Sequence, residues 1–357
     1  ENWREEMEKF IMPGTFPLLT LYGDDLTRLR APKDDMDVAL VGLRLLRRDW
    51  LGSAKVVLTT YETLRDLEFT LAAQKWSAVI CDEAQKIKNP NAMMTRAAKK
   101  QNVRFKIACT GTPVENSLAD LWCLFDFIQP GLLGALNEFG TNYRRPIEAE
   151  TEGQKQRVEQ LRDIIEPQLL RRIKADVAKD LPRKIIVDAC NNLPLSERQR
   201  SHYANAIAQH RKQSAEGVGL KNHLGLLLYL RRLCADPQPM GQLSNLSTPL
   251  SEIECHSPKM KWLMMELEKI KARNDKAILF CELRDVQRLL QRVIFERFEF
   301  ATAIINGDTS TSSKSEVSRQ KQIRGFQERP GFGAIILSPL AACFGLNIHA
   351  ANHVVHF

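Results

Sequence analysis

No stretch of this chain stays apolar for the roughly 20 residues that a membrane-spanning helix needs, which argues against a membrane-embedded segment here. The eight cysteines are scattered and form no Cys-x-x-Cys pair, so neither a zinc site nor a disulfide framework is expected. Cys81, Cys109 and Cys281 sit inside apolar runs, where a free thiol acts as a small core side chain. A reducing, intracellular compartment follows as the expectation, cytoplasmic or nuclear. There is no internal repeat. The opening residues Glu1 to Glu6 are charged, unlike a secretory leader. The chain enters at Glu1 within a helical pattern and stops at Phe357 inside the apolar run Val354 to Phe357, so it reads as a piece cut from something larger.

What is present is ordinary for a globular protein: 44% hydrophobic and 26% charged residues. A length of 357 residues accommodates two domains with an added helical piece. The formal net charge of +8 favours a polyanionic partner. The basic residues cluster between positions 198 and 232, where Arg198, Arg200, Arg211, Lys212, Lys221, Arg231 and Arg232 make either a nucleic-acid face or a solvated helical face.

The organising stretch is Val79-Ile80-Cys81-Asp82-Glu83-Ala84-Gln85. A short apolar run, led by Trp76, has the length of a buried strand and ends in two adjacent carboxylates. Ligands gather at the carboxyl ends of strands in open α/β sheets. There one carboxylate can hold a hydrated Mg²⁺ against nucleotide phosphates while the other orients and deprotonates water.

Taken in order, the pattern predicts a helix over 3–10 with Trp3, Met7 and Phe10 on one face. A strand over 16–22 follows, with a turn at Gly23-Asp24, then a helix over 37–49. A strand over 55–61 ends in hydroxyls, and a helix over 62–74 leads into the Asp82 strand. Beyond it come a helix over 91–100, a strand over 105–109 and an apolar helix over 118–128. Residues 132–232 read as helical (155–164, 196–213, 224–233), apart from a strand over 184–188. Breaks fall at 217–219 and 237–249. The strand–helix rhythm then resumes: helix 259–273, strand 277–281, helix 284–295, strand 302–305, helix 315–328 and strands 333–337 and 352–356. Such alternation predicts parallel sheets with helices on both faces.

Five of these strands end in small or polar residues: Thr59-Thr60, Asp82-Glu83, Thr110-Gly111-Thr112, Asn306-Gly307 and Ser338. Hydroxyls, glycines and exposed amides suit close approach to phosphate oxygens.

Asp82-Glu83-Ala84-Gln85 with Lys86-Ile87-Lys88-Asn89 resembles the second helicase motif of the Swi/Snf-like ATPases of helicase superfamily two. Thr110-Gly111-Thr112-Pro113-Val114-Glu115-Asn116, followed by Leu118, Leu121-Trp122 and Leu124, resembles the third. Leu170-Arg171-Arg172-Ile173-Lys174 with Leu181-Pro182 is similar to the family's linker signature, and Leu230 to Cys234 with Pro237 to a later helical one. Ile278 to Cys281, Ile305 to Asp308 and Ser338 to Asn347 are similar to motifs of its second RecA-like domain.

The resemblance implies an α/β fold of two RecA-like parallel-sheet lobes, 1–130 and 256–357, with a mostly helical insert over 131–255. It implies an ATPase using ATP and Mg²⁺ that translocates on double-stranded DNA, against a nucleoprotein or polymerase. By position, Asp82 would bind the metal through water and Glu83 would activate the hydrolytic water. Gln85, Thr110, Gly111, Thr112 and Asn116 would couple the nucleotide site to DNA. Thr59, Thr60, Tyr61, Gly307, Ser338, Gly345 and Asn347 would track the phosphate backbone, which positions without reading sequence. Arg171, Arg172 and Lys174 would lie between the lobes, or else on a solvated linker helix.

The chain departs from the family pattern in four places. It holds no Gly-x-x-x-x-Gly-Lys-Ser/Thr phosphate loop and no sixth motif with its arginine fingers, so these residues alone are expected to hydrolyse ATP poorly. Cys343 stands where the family has Gly, and Gln85 where His is commoner. Two other readings stay open: a catalytically inactive nucleic-acid-binding scaffold, and a strand-separating helicase.

Overall fold

The structure, a computed structural model, describes residues 2–31, 45–149, 153–215, 223–238, 248–309, 318–342 and 346–357. The chain divides into two compact units, Trp3–Leu181 and Pro182–Phe357. Among the described residues no helix is long and apolar enough to cross a membrane.

In the first unit, strand β1 (Leu18–Leu21) pairs in parallel with β2 (Val56–Thr59), Leu18 opposite Val56 and Leu21 opposite Thr59. Strand β3 (Trp76–Cys81) pairs in parallel with β4 (Val103–Ala108), Trp76 opposite Val103 and Cys81 opposite Ala108. Among the described residues these form two two-stranded sheets. They share one core, in which Leu21, Leu64, Leu71, Cys81, Ile87 and Phe127 are buried together. The strand ending at Cys81 was expected to be buried. Only one of its faces is, because Val79 and Cys81 face the core while Ile80 is 55% exposed.

Helix Leu118–Ile128 forms over its predicted range, with the Ser117 hydroxyl accepting from the Ala119 amide at its start. Its apolar circumference is explained by burial on two sides. Leu124 and Phe127 join the sheet core, while Leu121, Trp122 and Phe125 pack with Phe139 and Leu161 of the segment that follows. Helix Gln154–Ile165 thereby belongs to this unit.

The second unit has a four-stranded parallel sheet in the order β6-β7-β5-β8. Its strands are β5 (Lys276–Phe280), β6 (Ala303–Ile305), β7 (Gly333–Leu337) and β8 (His353–His356). Successive side chains of a strand point to opposite faces, and both faces here are covered. Ala277 and Leu279 enter a core with Leu263, Leu267, Leu290 and Val293, and Ile278 enters another with Ile305, Ile323 and Phe326. A continuous apolar run such as Ala277 to Cys281 is the pattern that two-sided burial selects. Helices Pro258–Ala272 and Arg284–Phe298 flank β5 in sequence, close to their predicted ranges.

Several local expectations are corrected. The turn at Gly23-Asp24 is the start of a helix, Gly23–Leu29, and Gly23 takes a positive φ of 60° there, which glycine adopts without strain. The helix expected over 37–49 falls largely on undescribed residues. Its described end is not helical, since Leu46 forms an antiparallel bridge with Arg30. The helix over 62–74 is two helices, Tyr61–Asp66 and Glu68–Ala72, broken at Leu67, a side chain only 2% exposed. Residues 184–188 form no strand. Their β-branched side chains have the right propensity but find no partner edge, and Ile185 is 82% exposed.

Burial pushes the Cys81 and Cys281 thiols up to about 11. The neutral thiols therefore contribute stability that is present below pH 9 and is lost as pH rises through about 11. Only the thiolate alkylates, so at pH 8 iodoacetamide should label exposed Cys255 in the native protein and reach Cys81 and Cys281 only after unfolding, as peptide mass spectrometry would show.

Candidate functional site

The β3–β4 ladder does not stop where the strands do. The Cys109 amide donates to the Cys81 carbonyl (2.8 Å), and the Ala84 amide donates to the Cys109 carbonyl (2.9 Å). These bonds draw the 82–84 loop against 109–110, so Asp82-Glu83 and Thr110-Gly111-Thr112 become neighbours. Glu83 takes a left-handed conformation, φ 49° and ψ 49°. For a residue with a side chain this costs on the order of 1–3 kcal/mol, and such strain persists only where the surroundings impose it.

Asp82 is exposed, and both its carboxylate oxygens accept hydrogen bonds. Oδ1 takes the Glu83 amide at 2.9 Å and Oδ2 takes the Trp3 indole N–H at 2.8 Å. The helical spacing places Trp3 on an apolar face with Met7 and Phe10. It is 46% exposed and its polar edge does the work, a use that an indole always permits and that periodicity does not reveal.

A relay joins the two motifs. The Thr110 hydroxyl donates to Gln85 Oε1 (2.8 Å), and Gln85 Nε2 donates to Glu83 Oε2 (2.7 Å). The Thr112 amide donates to the Thr110 hydroxyl (3.1 Å), and the Thr112 hydroxyl to Glu115 (3.2 Å). Asp120 accepts the amides of Glu115 (3.3 Å) and Asn116 (3.0 Å), and Lys88 pairs with Glu115. That pairing holds the Glu115 carboxyl below its ordinary range and raises Lys88. Lys88 and Asp120 were given no role from sequence; the structure makes them the braces of the Thr112–Asn116 loop. Gly111 is exposed, and a Cβ there would meet nothing.

The hydroxyls of Thr59, Thr60 and Tyr61 each have a partner within the first unit, and Thr60 is exposed. The Thr59 hydroxyl donates to the Leu21 carbonyl (3.0 Å), and Thr60 caps helix Tyr61–Asp66 by accepting from the Thr63 amide (3.2 Å). The Tyr61 hydroxyl donates to the Asp82 carbonyl at 2.7 Å. Burial, the largest influence, raises the Tyr61 phenol well above its ordinary range, so it stays protonated as a donor. Arg171 and Arg172 are exposed in a non-helical stretch ahead of the short helix Lys174–Val177, which corrects the alternative of a linker helix carrying both.

In the second unit a groove of about 280 Å³ opens at the carboxyl ends of β5, β6 and β7. Glu282, Arg284, Asn306, Gly307, Arg319 and Ser338 line it together with Leu340 and Ala341. Arg284 pairs with Asp308 at 2.9 Å and lies so close to Gly307 that a Cβ would come within 3.2 Å of its guanidinium. Arg319 donates to the carbonyls of Asn306 (3.2 Å) and Thr309 (3.3 Å). Asn347 is exposed; Cys343 and Gly345 lie outside the described residues.

Among the described residues no three His, Cys, Asp or Glu side chains gather as a metal cage. A single exposed carboxylate suits Mg²⁺, which keeps most of its water and takes one or two carboxylates beside phosphate oxygens. Asp82 fits that requirement.

A family model for the SNF2-related domain matches residues 1–239, most of the chain, and the chain belongs to that family. Over its full length it is 50% identical to the Zorya protein ZorD of Escherichia coli, across 365 aligned residues and 33% of that protein. It is 33% identical over 361 residues to the putative ATP-dependent helicase/translocase YwqA of Bacillus subtilis, covering 100% of this chain and 36% of that one. The chain thus spans about a third of the length of these curated relatives. The Sulfolobus solfataricus SWI2/SNF2 ATPase core in complex with dsDNA aligns with 99% of this chain and 68% of its own, at 27% identity and a TM-score of 0.42.

Thr110→Val keeps the shape of the strand end and removes the donor to Gln85. It also removes the acceptor of the Thr112 amide, so it should cost about 1–3 kcal/mol of stability in calorimetry, the net worth of two hydrogen bonds.

Proposed function

We propose that this chain is the motor part of an ATP-driven enzyme that moves along double-stranded DNA without separating its strands. The observation that carries the reading is the Thr110–Gln85–Glu83 relay beside exposed Asp82, built where two parallel strands end. The Gln85 amide fixes the orientation of the Glu83 carboxylate, which is what a general base for water requires. Glu83 is the residue assigned to that proton, and Asp82 is the residue that would hold a hydrated Mg²⁺. Bound there with ATP, the metal would neutralise charge on the phosphate oxygens.

Thr110, Thr112 and Asn116 couple this site to DNA in the proposal, because a change at Glu83 is passed through Gln85 to the 110–116 loop. The lobes are 1–130 and 256–357, with 131–255 as the helical connection. Exposed Arg171 and Arg172 of the first unit are cations the proposal assigns to phosphates; in the second unit it assigns the groove of Asn306, Gly307 and Ser338, where Arg284 and Arg319 stand beside Glu282 and Asp308. Contacts of that kind position the protein and do not read sequence. The name of the Bacillus subtilis relative, a putative ATP-dependent helicase/translocase, supports movement coupled to ATP. A nucleoprotein or polymerase met on the DNA would be the load.

The test uses the full-length protein. Phosphate release should rise with duplex DNA, and Glu83→Gln should lower it at least about 100-fold, the scale of a lost general base, with DNA binding retained. Third-strand displacement from a triplex without opening of a forked duplex is the expected mark of translocation. Turnover that survives Glu83→Gln would overturn the assignment.

A further inference from the structure

We propose that Tyr61 is a positioning residue that ties the Thr59–Thr60 strand end to the acidic pair by holding the Asp82 carbonyl. The inference rests on the ATPase reading for its functional consequence, but the tie itself is structural and is testable without turnover.

The geometry is specific. The carbonyl of Asp82 and the amide of Glu83 belong to one peptide plane, since the peptide bond is rigid. Both ends of that plane are held. The carbonyl accepts the Tyr61 hydroxyl at 2.7 Å, and the amide donates to Asp82 Oδ1 at 2.9 Å. Rotating the plane would break both bonds and carry Glu83 out of its left-handed conformation. It would also withdraw the amide that orients the Asp82 carboxylate. One phenol therefore sets the aim of both acids while touching neither side chain.

Tyr61 is itself fixed. It is the first residue of the helix that Thr60 caps, directly after β2 ends at Thr59. Its ring packs against the core of the first unit, and Lys86 Nζ lies 5.8 Å from the ring centroid. A displacement of the Thr60–Tyr61 turn therefore reaches the 82–83 peptide through the Tyr61 hydroxyl, which holds the Asp82 carbonyl and also meets the Cys81 thiol. The family resemblance implies a DNA-backbone role for Tyr61 together with its two neighbours. Its hydroxyl is instead spent on Asp82, so Thr60, the exposed member of the trio, is left as the surface on which a ligand could act.

Tyr61→Phe is the variant to make, since it keeps the ring in the core and deletes only the donor. In the full-length protein kcat for ATP should fall roughly 5- to 10-fold, the effect of one lost hydrogen bond, with the ATP KM and the DNA dissociation constant unchanged. Hydrogen exchange of the Glu83 amide should rise by a similar factor, since that amide loses its constraint. An unchanged exchange rate overturns the tie. Accelerated exchange with unchanged kcat overturns the catalytic consequence. A weakened DNA affinity with normal kcat returns Tyr61 to the contact role its sequence position suggested. If the wild-type protein hydrolyses no ATP, the ATPase reading fails by itself, and the exchange measurement still decides whether Tyr61 holds the loop.

Discussion

The parallel pairing of β3 with β4 is the constraint on which the candidate site depends. Parallel strands run in register to a common end, so whatever follows one lies beside whatever follows the other. Here the register, Cys81 opposite Ala108, is extended by two further backbone bonds through Cys109 and Ala84. Asp82-Glu83 and Thr110-Gly111-Thr112 meet for that reason. The relay through Gln85 needs no more than this adjacency and a side chain of the right length. Slipping the register by one residue would turn Val79 and Cys81 away from the core and separate the two motifs together.

Around that pairing the first unit spends its polar groups on holding loops rather than strands. Tyr61 fixes a peptide plane, Trp3 and the Glu83 amide occupy the Asp82 oxygens, and Asp120 gathers two amides of the 112–116 loop. Glu83 keeps a conformation it would not adopt alone because its neighbours are each held from another element. The second unit is built differently. Its sheet is covered on both faces, and its groove is shaped by arginines lying over a glycine and two carbonyls.

Much of this was legible in the residues. Elements with strong periodicity, such as 118–128, 259–273 and 333–337, formed within a residue or two of their expected ranges, because local pattern and packing agree there. Where the two disagreed, packing won. Ile185 to Val187 have strand propensity and no partner, the helix over 62–74 breaks at buried Leu67, and Gly23 opens a helix instead of a turn.

By itself the sequence determined the α/β alternation, the acidic strand end at Asp82-Glu83, the Thr110–Thr112 loop and the resemblance that joined them, since each lies in consecutive residues. The tertiary structure alone decided who holds whom. The Trp3 indole on Asp82, the Tyr61 phenol on its carbonyl and the Gln85 bridge to Thr110 span 79, 21 and 25 residues. A hydrogen bond forms between groups brought within 3 Å by folding, and no pattern along the chain encodes that distance.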